Sequence, residues 1–478
     1  MAQTQNEVST RDKIGYGVGD LGNSIAMQVV SSYFVFFMTA VLNMPGTIAG
    51  LAIGLSVFWD AFTDPIMGYV SDFTRSKRFG RRHLYILIGM VGVAVSILVL
   101  FNIPVDMSLT NKTILIFVFV IIYKSFMTML LTPYAALGSE LVKDYHERTR
   151  IQSIRSIFFM VGIVSTVALG MALFFRPNDE YVIGQLNPMA YRNMSIFYVT
   201  LLVTVTLITY FSTKKYIPRL NEFIIEPQQR QLNLKLFLKL LAPLANKAFV
   251  SVALAYALIN MASAFVNSVG IHVFTYTFGF SSFLIASVLG IQMLFSILSQ
   301  PLWIHVVKKT SKQYGILIGL LIAMVGILYF GVLVAFHLQI QGMLVYFIPY
   351  AILVGTGTGA LFTIPYAMIS DAIDMDELKH GVRKEGSYFG CMTFFYKLSQ
   401  AGAIFMIGIL IDLVGFNPQL PVQSESTQLY LGLILSVGVI VSFLAATLSI
   451  SKFPLSKNET IEIQHKLSKV NCQKLSKH

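Results

Sequence analysis

Long apolar runs separated by short polar loops dominate the chain. The three longest stretches without Lys, Arg, Asp or Glu are Ala248–Val307 over 60 residues, Gln313–Ser370 over 58, and Leu21–Trp59 over 39. A helix crosses the hydrocarbon core of a bilayer in roughly 20 residues. Each of the two longest stretches therefore holds two crossings joined by an uncharged loop. The pattern predicts helices over 14–42, 48–70, 84–103, 113–140, 151–175, 193–213, 247–277, 281–305, 314–336, 342–370, 387–414 and 428–451. The runs are continuous rather than alternating in polarity, which selects helices over barrel strands. The expectation is an all-α membrane protein with twelve transmembrane helices.

Composition narrows the function. The 55% hydrophobic and 12% charged content stands against about 25% charged in soluble domains, which excludes a soluble enzyme, a secreted factor or a disordered scaffold. Cys391 and Cys472 are the two cysteines, too few for a disulfide framework. The polar start, Met1 to Lys13, leads into a full-length span without a small-residue cleavage pattern, so no cleaved signal peptide is expected. No phosphate-cradling glycine loop, G-x-S-x-G or H-E-x-x-H occurs. Neither an ATP-driven pump nor a membrane hydrolase is supported, and the chain is not expected to be an enzyme or to carry a cofactor.

The formal charge of +12 could suggest nucleic acid, but 29 of the 35 basic residues fall in alternate loops. The opposite loops hold Lys112, Arg176 and Arg192, and Lys124, Arg155 and Lys397 fall inside spans. The positive-inside rule puts both termini in the cytoplasm of a multi-pass protein of the cell (inner) membrane, as an even number of crossings requires. The basic loops are short and lack interleaved aromatics, so no nucleic-acid partner is expected. The partners are the bilayer and a small-molecule substrate, with the protein working as a monomer.

The chain also repeats itself. Thr132-Pro133-Tyr134-Ala135 in span 4 returns as Ile364-Pro365-Tyr366-Ala367 in span 10, an offset of 232, and Asp64-Pro65 returns as Gln300-Pro301, an offset of 236. Six spans per half give the halves the same orientation, the parallel-repeat arrangement of the major facilitator fold. The expected organisation is a six-helix bundle over 1–213, a cytoplasmic connector over 214–246, a second six-helix bundle over 247–452 and a cytoplasmic tail over 453–478. The basic tail reads as solvated and disordered, with anionic lipid as the alternative.

Charged side chains at membrane depth cost several kcal/mol, so each calls for a partner or a purpose. Asp20, Asp60, Asp64, Lys124 and Lys397 stand out. Asp60 and Asp64, spaced i, i+4, share one face of span 2, and their repulsion demands a cation or a proton. Thr63 and Thr128 supply the hydroxyl oxygens that a small hard cation takes. The alternative is that the aspartates simply pair with Lys124 and Lys397. Three carboxylates against two ammoniums leave about −1, which one Na+ or H+ neutralises. Lys397, beside Tyr396 in span 11, is too deep to reach the interface and reads as a gate or a structural partner. Asp72 near Arg81 and Arg82 forms either a cytoplasmic ion-pair latch or simple topology-setting charge. His272 and His305 read as interfacial groups rather than metal ligands.

Together these residues resemble the glycoside-pentoside-hexuronide:cation symporters, the melibiose-carrier branch of the major facilitator superfamily, over nearly the whole chain. The resemblance is carried by Tyr16-Gly17-Val18-Gly19-Asp20-Leu21-Gly22-Asn23; by Trp59-Asp60-Ala61-Phe62-Thr63-Asp64-Pro65; by Thr132-Pro133-Tyr134 with Glu147, Arg148 and Arg155; and by Asp371-Ala372-Ile373-Asp374 through Arg383, Glu385 and Lys397. It implies that Asp60 and Asp64 bind Na+, Li+ or H+ and that Lys397 couples the cation and substrate sites. Two departures concern the substrate. Leu131 stands where melibiose-type members place a sugar-binding carboxylate, and Ser24 stands where span 1 places another. Sodium-dependent lysophospholipid carriers of a related branch keep the paired aspartates and present an apolar cavity, towards which Leu131, Phe126, Met127 and Met129 lean. Lys124 replaces a small residue and could hold an anionic headgroup or a sugar carboxylate.

The resulting expectation is a symporter coupling Na+ or H+ to a sugar, glycoside or sugar acid by alternating access. A lysophospholipid or other amphipathic organic anion is the second reading, and a non-transporting receptor or scaffold the third. Asp60, Asp64, Thr63 and Thr128 bind the cation; Lys397, Asp20, Lys124, Arg155 and Tyr396 serve substrate and coupling; Asp72, Arg81, Arg82, Asp371, Asp374 and Arg383 form the cytoplasmic gate.

Overall fold

The computed structural model describes residues 8–74, 76, 79–142, 145–221, 241–381, 385–420 and 422–475. Among these, twelve helices are long and apolar enough to cross a membrane. They are α1 (Thr10–Val41), α2 (Gly46–Phe73), α3 (His83–Leu100), α4 (Leu109–Leu141), α5 (Arg150–Phe174), α6 (Pro188–Tyr216), α7 (Lys247–Thr277), α8 (Ser282–Lys309), α9 (Lys312–Ala335), α10 (Leu344–His380), α11 (Glu385–Leu413) and α12 (Glu425–Ser451). Each coincides with a span read from hydropathy. Helix starts follow from polar caps: the hydroxyls of Ser9, Ser108 and Ser311 accept the backbone N–H of Asp12, Asn111 and Tyr314. The largest boundary difference is at α10, which runs ten residues beyond the expected end. Its continuation is amphipathic rather than apolar, and it stops where Gly381 takes up the left-handed conformation at φ +72°.

The repeat is visible in the backbone. α1 ends in a wide π-type turn over Phe37–Val41 and α7 in another over Val273–Thr277, an offset of 236. The closing bonds match as well: Leu42 N–H to Phe37 O and Met44 N–H to Met38 O in one, Phe278 N–H to Val273 O and Phe280 N–H to Phe274 O in the other. Exposed apolar residues repeat too. Val91 and Val95 form an outward stripe on α3, as Leu321, Val325 and Leu328 do on α9, at the spacing that puts one helix face into lipid.

Two compact units partition the chain. The first comprises Met1–Arg230 with Asn267–Ser287 and Ile404–Thr427, and the second Gln231–Val266, Val288–Ala403 and Gln428–His478. Within the first unit, the ends of α7 and α11 join α1 and α2. The Asp412 carboxylate accepts the backbone N–H groups of Gly46 and Thr47 at 2.6 and 2.7 Å, capping the positive end of α2. α2 and α11 approach here through glycines. A Cβ on Gly46 would lie 2.6 Å from the Gly408 carbonyl, and one on Gly50 would lie 2.8 Å from that of Ile404. His272, expected at the interface, is instead fully buried, bonded through Nε2 to the Thr39 hydroxyl at 2.6 Å, with the Phe36 ring tilted against it and the Phe416 ring edge-on.

The tail departs from expectation. In place of disorder, α13 (Lys457–Leu475) forms. Its start is a reciprocal capping box: Glu459 Oε2 accepts the Ser456 N–H at 2.7 Å, and Ser456 Oγ accepts the Glu459 N–H at 3.3 Å. Within the second unit the helix is held to α8 and α10 by Lys457 on the Lys308 carbonyl and Gln464 on Asp374.

Candidate cation site

The i, i+4 spacing on α2 turns Asp60 and Asp64 towards α4, which presents a hydroxyl and an ammonium one turn apart. Thr128 Oγ1 lies 2.9 Å from Asp60 Oδ1 and 3.0 Å from Asp64 Oδ1, bridging the two carboxylates. Thr63 Oγ1 stands 3.3 Å from Thr128 Oγ1. Lys124 Nζ is 3.6 Å from Asp60 Oδ2. Asp60 and Thr128 are buried, whereas Lys124 and Asp64 are half-buried. Trp59, next in the chain, donates its indole N–H to the Ser125 hydroxyl at 2.9 Å and so pins α2 to α4 beside the pair. All the oxygen donors proposed from sequence thus meet in one place, with two carboxylates, two hydroxyls and one ammonium. Their balance is −1, which suits one monovalent cation of hard, oxygen-seeking character.

Asp20 stands apart from that balance. Arg155 Nε donates to Asp20 Oδ2 at 2.6 Å, and Asn23 Nδ2 donates to Oδ1 at 3.0 Å. The guanidinium lies 5.0 Å from the ring centre of Tyr134 and 5.8 Å from that of Tyr16. Those two rings stack at 4.7 Å, and each hydroxyl donates to the other residue's carbonyl at 2.8 Å. Asp20 is thus matched to Arg155, apart from the group of Asp60, Asp64 and Lys124. Lys397 and Tyr396 lie in the second unit on α11, both half-buried, and the Tyr396 ring meets Tyr256 edge-on at 5.6 Å.

On the basic side, Arg81 and Arg82 converge on Glu140 at the end of α4, at 2.9 and 2.8 Å. The Asp72 side chain and Arg383 lie outside the described residues. In the second unit Lys312 reaches both oxygens of Asp371 at 2.7 Å. Glu140 and Lys312 were not singled out from the sequence, yet the repeat contains the signal: Arg82 and Lys312 are 230 apart, Glu140 and Asp371 are 231 apart.

The repeat also isolates the cation site. Asp64 has its counterpart in Gln300, whose Oε1 accepts the Thr363 hydroxyl at 3.2 Å in the second unit. There a neutral amide stands where the first unit has a carboxylate. Among the described residues, no group of three His, Cys, Asp or Glu side chains forms a metal cluster.

Comparison with known proteins completes the assignment. An uncharacterized symporter of Synechocystis sp. is 26% identical to this chain, covering 86% of each. An isoprimeverose transporter of Lactiplantibacillus pentosus is 24% identical over 86% of this chain and 82% of its own. The crystal structure of a nucleoside transporter, NupG, superposes with a TM-score of 0.62 at 15% identity, covering 92% of this chain and 99% of that one, a likeness of fold. The family model described as MFS/sugar transport protein matches residues 15–457. The chain is therefore a multi-pass membrane transporter of the major facilitator fold, not an enzyme, and belongs to the MFS/sugar transport protein family.

Proposed function

We propose that this protein is a symporter that couples Na+ or H+ to a sugar, glycoside or sugar acid across the cell (inner) membrane, with both termini in the cytoplasm. The observation that carries the proposal is the Thr128 hydroxyl between Asp60 and Asp64, 2.9 and 3.0 Å from their oxygens. With Lys124 on Asp60, the cluster holds one negative charge in excess at membrane depth. An excess charge there is costly, and binding one cation removes it. The carrier can then change conformation with a neutral site, whereas the empty site resists the change. That difference in differential binding is what couples two solutes. Lys397 and Tyr396 on α11 are assigned to coupling and substrate. Two ion pairs, Arg81 and Arg82 with Glu140 and Lys312 with Asp371, are assigned to the cytoplasmic gate, with Asp374 beside the tail helix.

The relatives support a sugar over a lipid, since one is named for isoprimeverose. Two of the apolar residues that leaned towards a lipid cavity serve packing instead: the Phe126 ring covers Gly92 on α3, and Met127 is buried. Counterflow of labelled isoprimeverose and glucuronate into proteoliposomes, with and without Na+ and at varied pH, tests the reading. Cation-dependent uptake that disappears in Asp60→Asn and Asp64→Asn is expected. Uptake that ignores both cations, or survives both substitutions, contradicts it.

A further inference from the structure

Each unit holds a tyrosine pair, and the two differ in exposure. In the first unit Tyr16 and Tyr134 are 0% and 2% exposed, and both hydroxyls are occupied by backbone carbonyls. In the second unit Tyr366 on α10, the counterpart of Tyr134 at the offset of 232, pairs with Tyr256 on α7. Here Tyr366 is 43% exposed while Tyr256 is buried, and their hydroxyls meet at 3.1 Å, with either able to donate. Two hydroxyls bonded to each other retain acceptor lone pairs and one donor hydrogen for a third group.

Around this pair the second unit carries neutral polar groups where the first carries ions. Tyr256 stands where the first unit has Asp20, 236 residues away, and one turn along α7 Asn260 Oδ1 accepts from Gln400 Nε2 of α11 at 3.4 Å. Phe389, 234 residues from Arg155, stacks on Tyr366 at 6.2 Å, and Tyr396 closes on Tyr256. Three helices thus bring hydroxyls, amides and aromatic faces together well inside their spans. At that depth polar side chains line a cavity or a protein interior rather than lipid.

We propose that this tyrosine and amide cluster is the substrate-recognition face of the second unit, and that it takes a polyhydroxylated ring rather than an acyl chain. Hydroxyls and amides both donate and accept, as sugar hydroxyls do, while aromatic faces cover the apolar C–H side of a pyranose or pentose ring. A few placed polar groups on an aromatic wall are the usual make-up of such a pocket. Division of labour follows: charge chemistry in the first unit, hydroxyl reading in the second. The inference rests on the symporter reading and gives it a sugar-contacting residue, Tyr366.

The test is a melting-temperature titration of detergent-purified protein with D-glucose, D-xylose, D-glucuronate and lysophosphatidylcholine, on wild type, Tyr366→Phe and Gln400→Met. Na+ titrations on the same samples report the first unit and show that each variant is folded. At least one sugar is expected to stabilise the wild type, and each substitution to weaken its apparent Kd by about three- to tenfold, the worth of one neutral hydrogen bond. Unchanged sugar affinity in both variants overturns the proposal, as does stabilisation by the lysolipid alone or by no sugar. If wild type shows no cation response but the sugar response is lost in the variants, the coupling reading fails and the recognition face stands.

Discussion

Lys124 Nζ stands 3.6 Å from Asp60 Oδ2, so the cation proposed for this site would share one of its carboxylates with a resident ammonium. The lysine lowers the site's charge from −2 to −1 and so sets how strongly, and how many, monovalent ions are drawn in. Replacing it with methionine keeps the volume and removes the charge. Lys124→Met is expected to tighten Na+ binding by about tenfold, since unit charges at this range interact by more than 1 kcal/mol even when largely screened. The Na+-free protein should melt lower, because two neighbouring carboxylates then lack the Lys124 ammonium. Na+ titration of the melting temperature measures both effects.

Thr128 touches both aspartates. Thr128→Ala should weaken the cation response by about tenfold, through loss of a ligand oxygen and of the bond that holds the carboxylates in place. Thr128→Ser keeps the hydroxyl and should restore most of the response. An alanine variant with wild-type cation affinity would show that the threonine is only packing.

Asp20 and Arg155 form a buried pair at 2.6 Å, outside the charge balance of the cation site. Asp20→Asn leaves the guanidinium without its counter-charge and should cost about 3 kcal/mol, the lower end for breaking such a pair. The loss should appear equally with and without Na+, as a lowered melting temperature at both extremes of the titration. A loss that vanished in saturating Na+ would place Asp20 in the cation site after all.

The tail helix carries its own pH response. The backbone N–H of Ser456, with its hydroxyl, holds the Glu459 carboxyl below the ordinary value of 4.5. A folded-state pKa lowered in this way contributes stability that is present above 4.5 and is lost as the pH falls through the folded value. Hydrogen exchange at the start of α13 should therefore rise between roughly pH 5 and pH 3 after correction for intrinsic rates. Glu459→Gln, whose amide can cap without titrating, should remove that pH dependence.

How much was legible in the chain depended on sequence distance. The twelve spans follow from continuous apolar runs, and the Asp60–Asp64 pair from a spacing of four on one helix. Thr128 was within reach because its hydroxyl sits in an otherwise apolar span. The partners of isolated charges were not legible: Arg155 and Asp20 are 135 residues apart, and Arg82 and Glu140 are 58 apart. A charge in a span demands a partner but does not name it. α10 outran its apolar run because protein rather than lipid covers the continuation, with Asp371 buried against Lys312. α13 escaped because a basic, polar composition hid a capping box at Ser456 and Glu459 and docking contacts of Lys457 with Lys308 and Gln464 with Asp374, 149 and 90 residues away.

The central claim is that Asp60 and Asp64 bind the coupling cation. The most direct measurement is calorimetric titration of Na+ and Li+ into purified wild type, Asp60→Asn and Asp64→Asn, at several pH values and in buffers of different ionisation enthalpy, so that protons released are counted. Saturable binding of one ion per protein, or one proton bound and released where Na+ is not taken, is predicted for wild type and is lost in both variants. Binding of the same stoichiometry and affinity in Asp64→Asn would contradict the account.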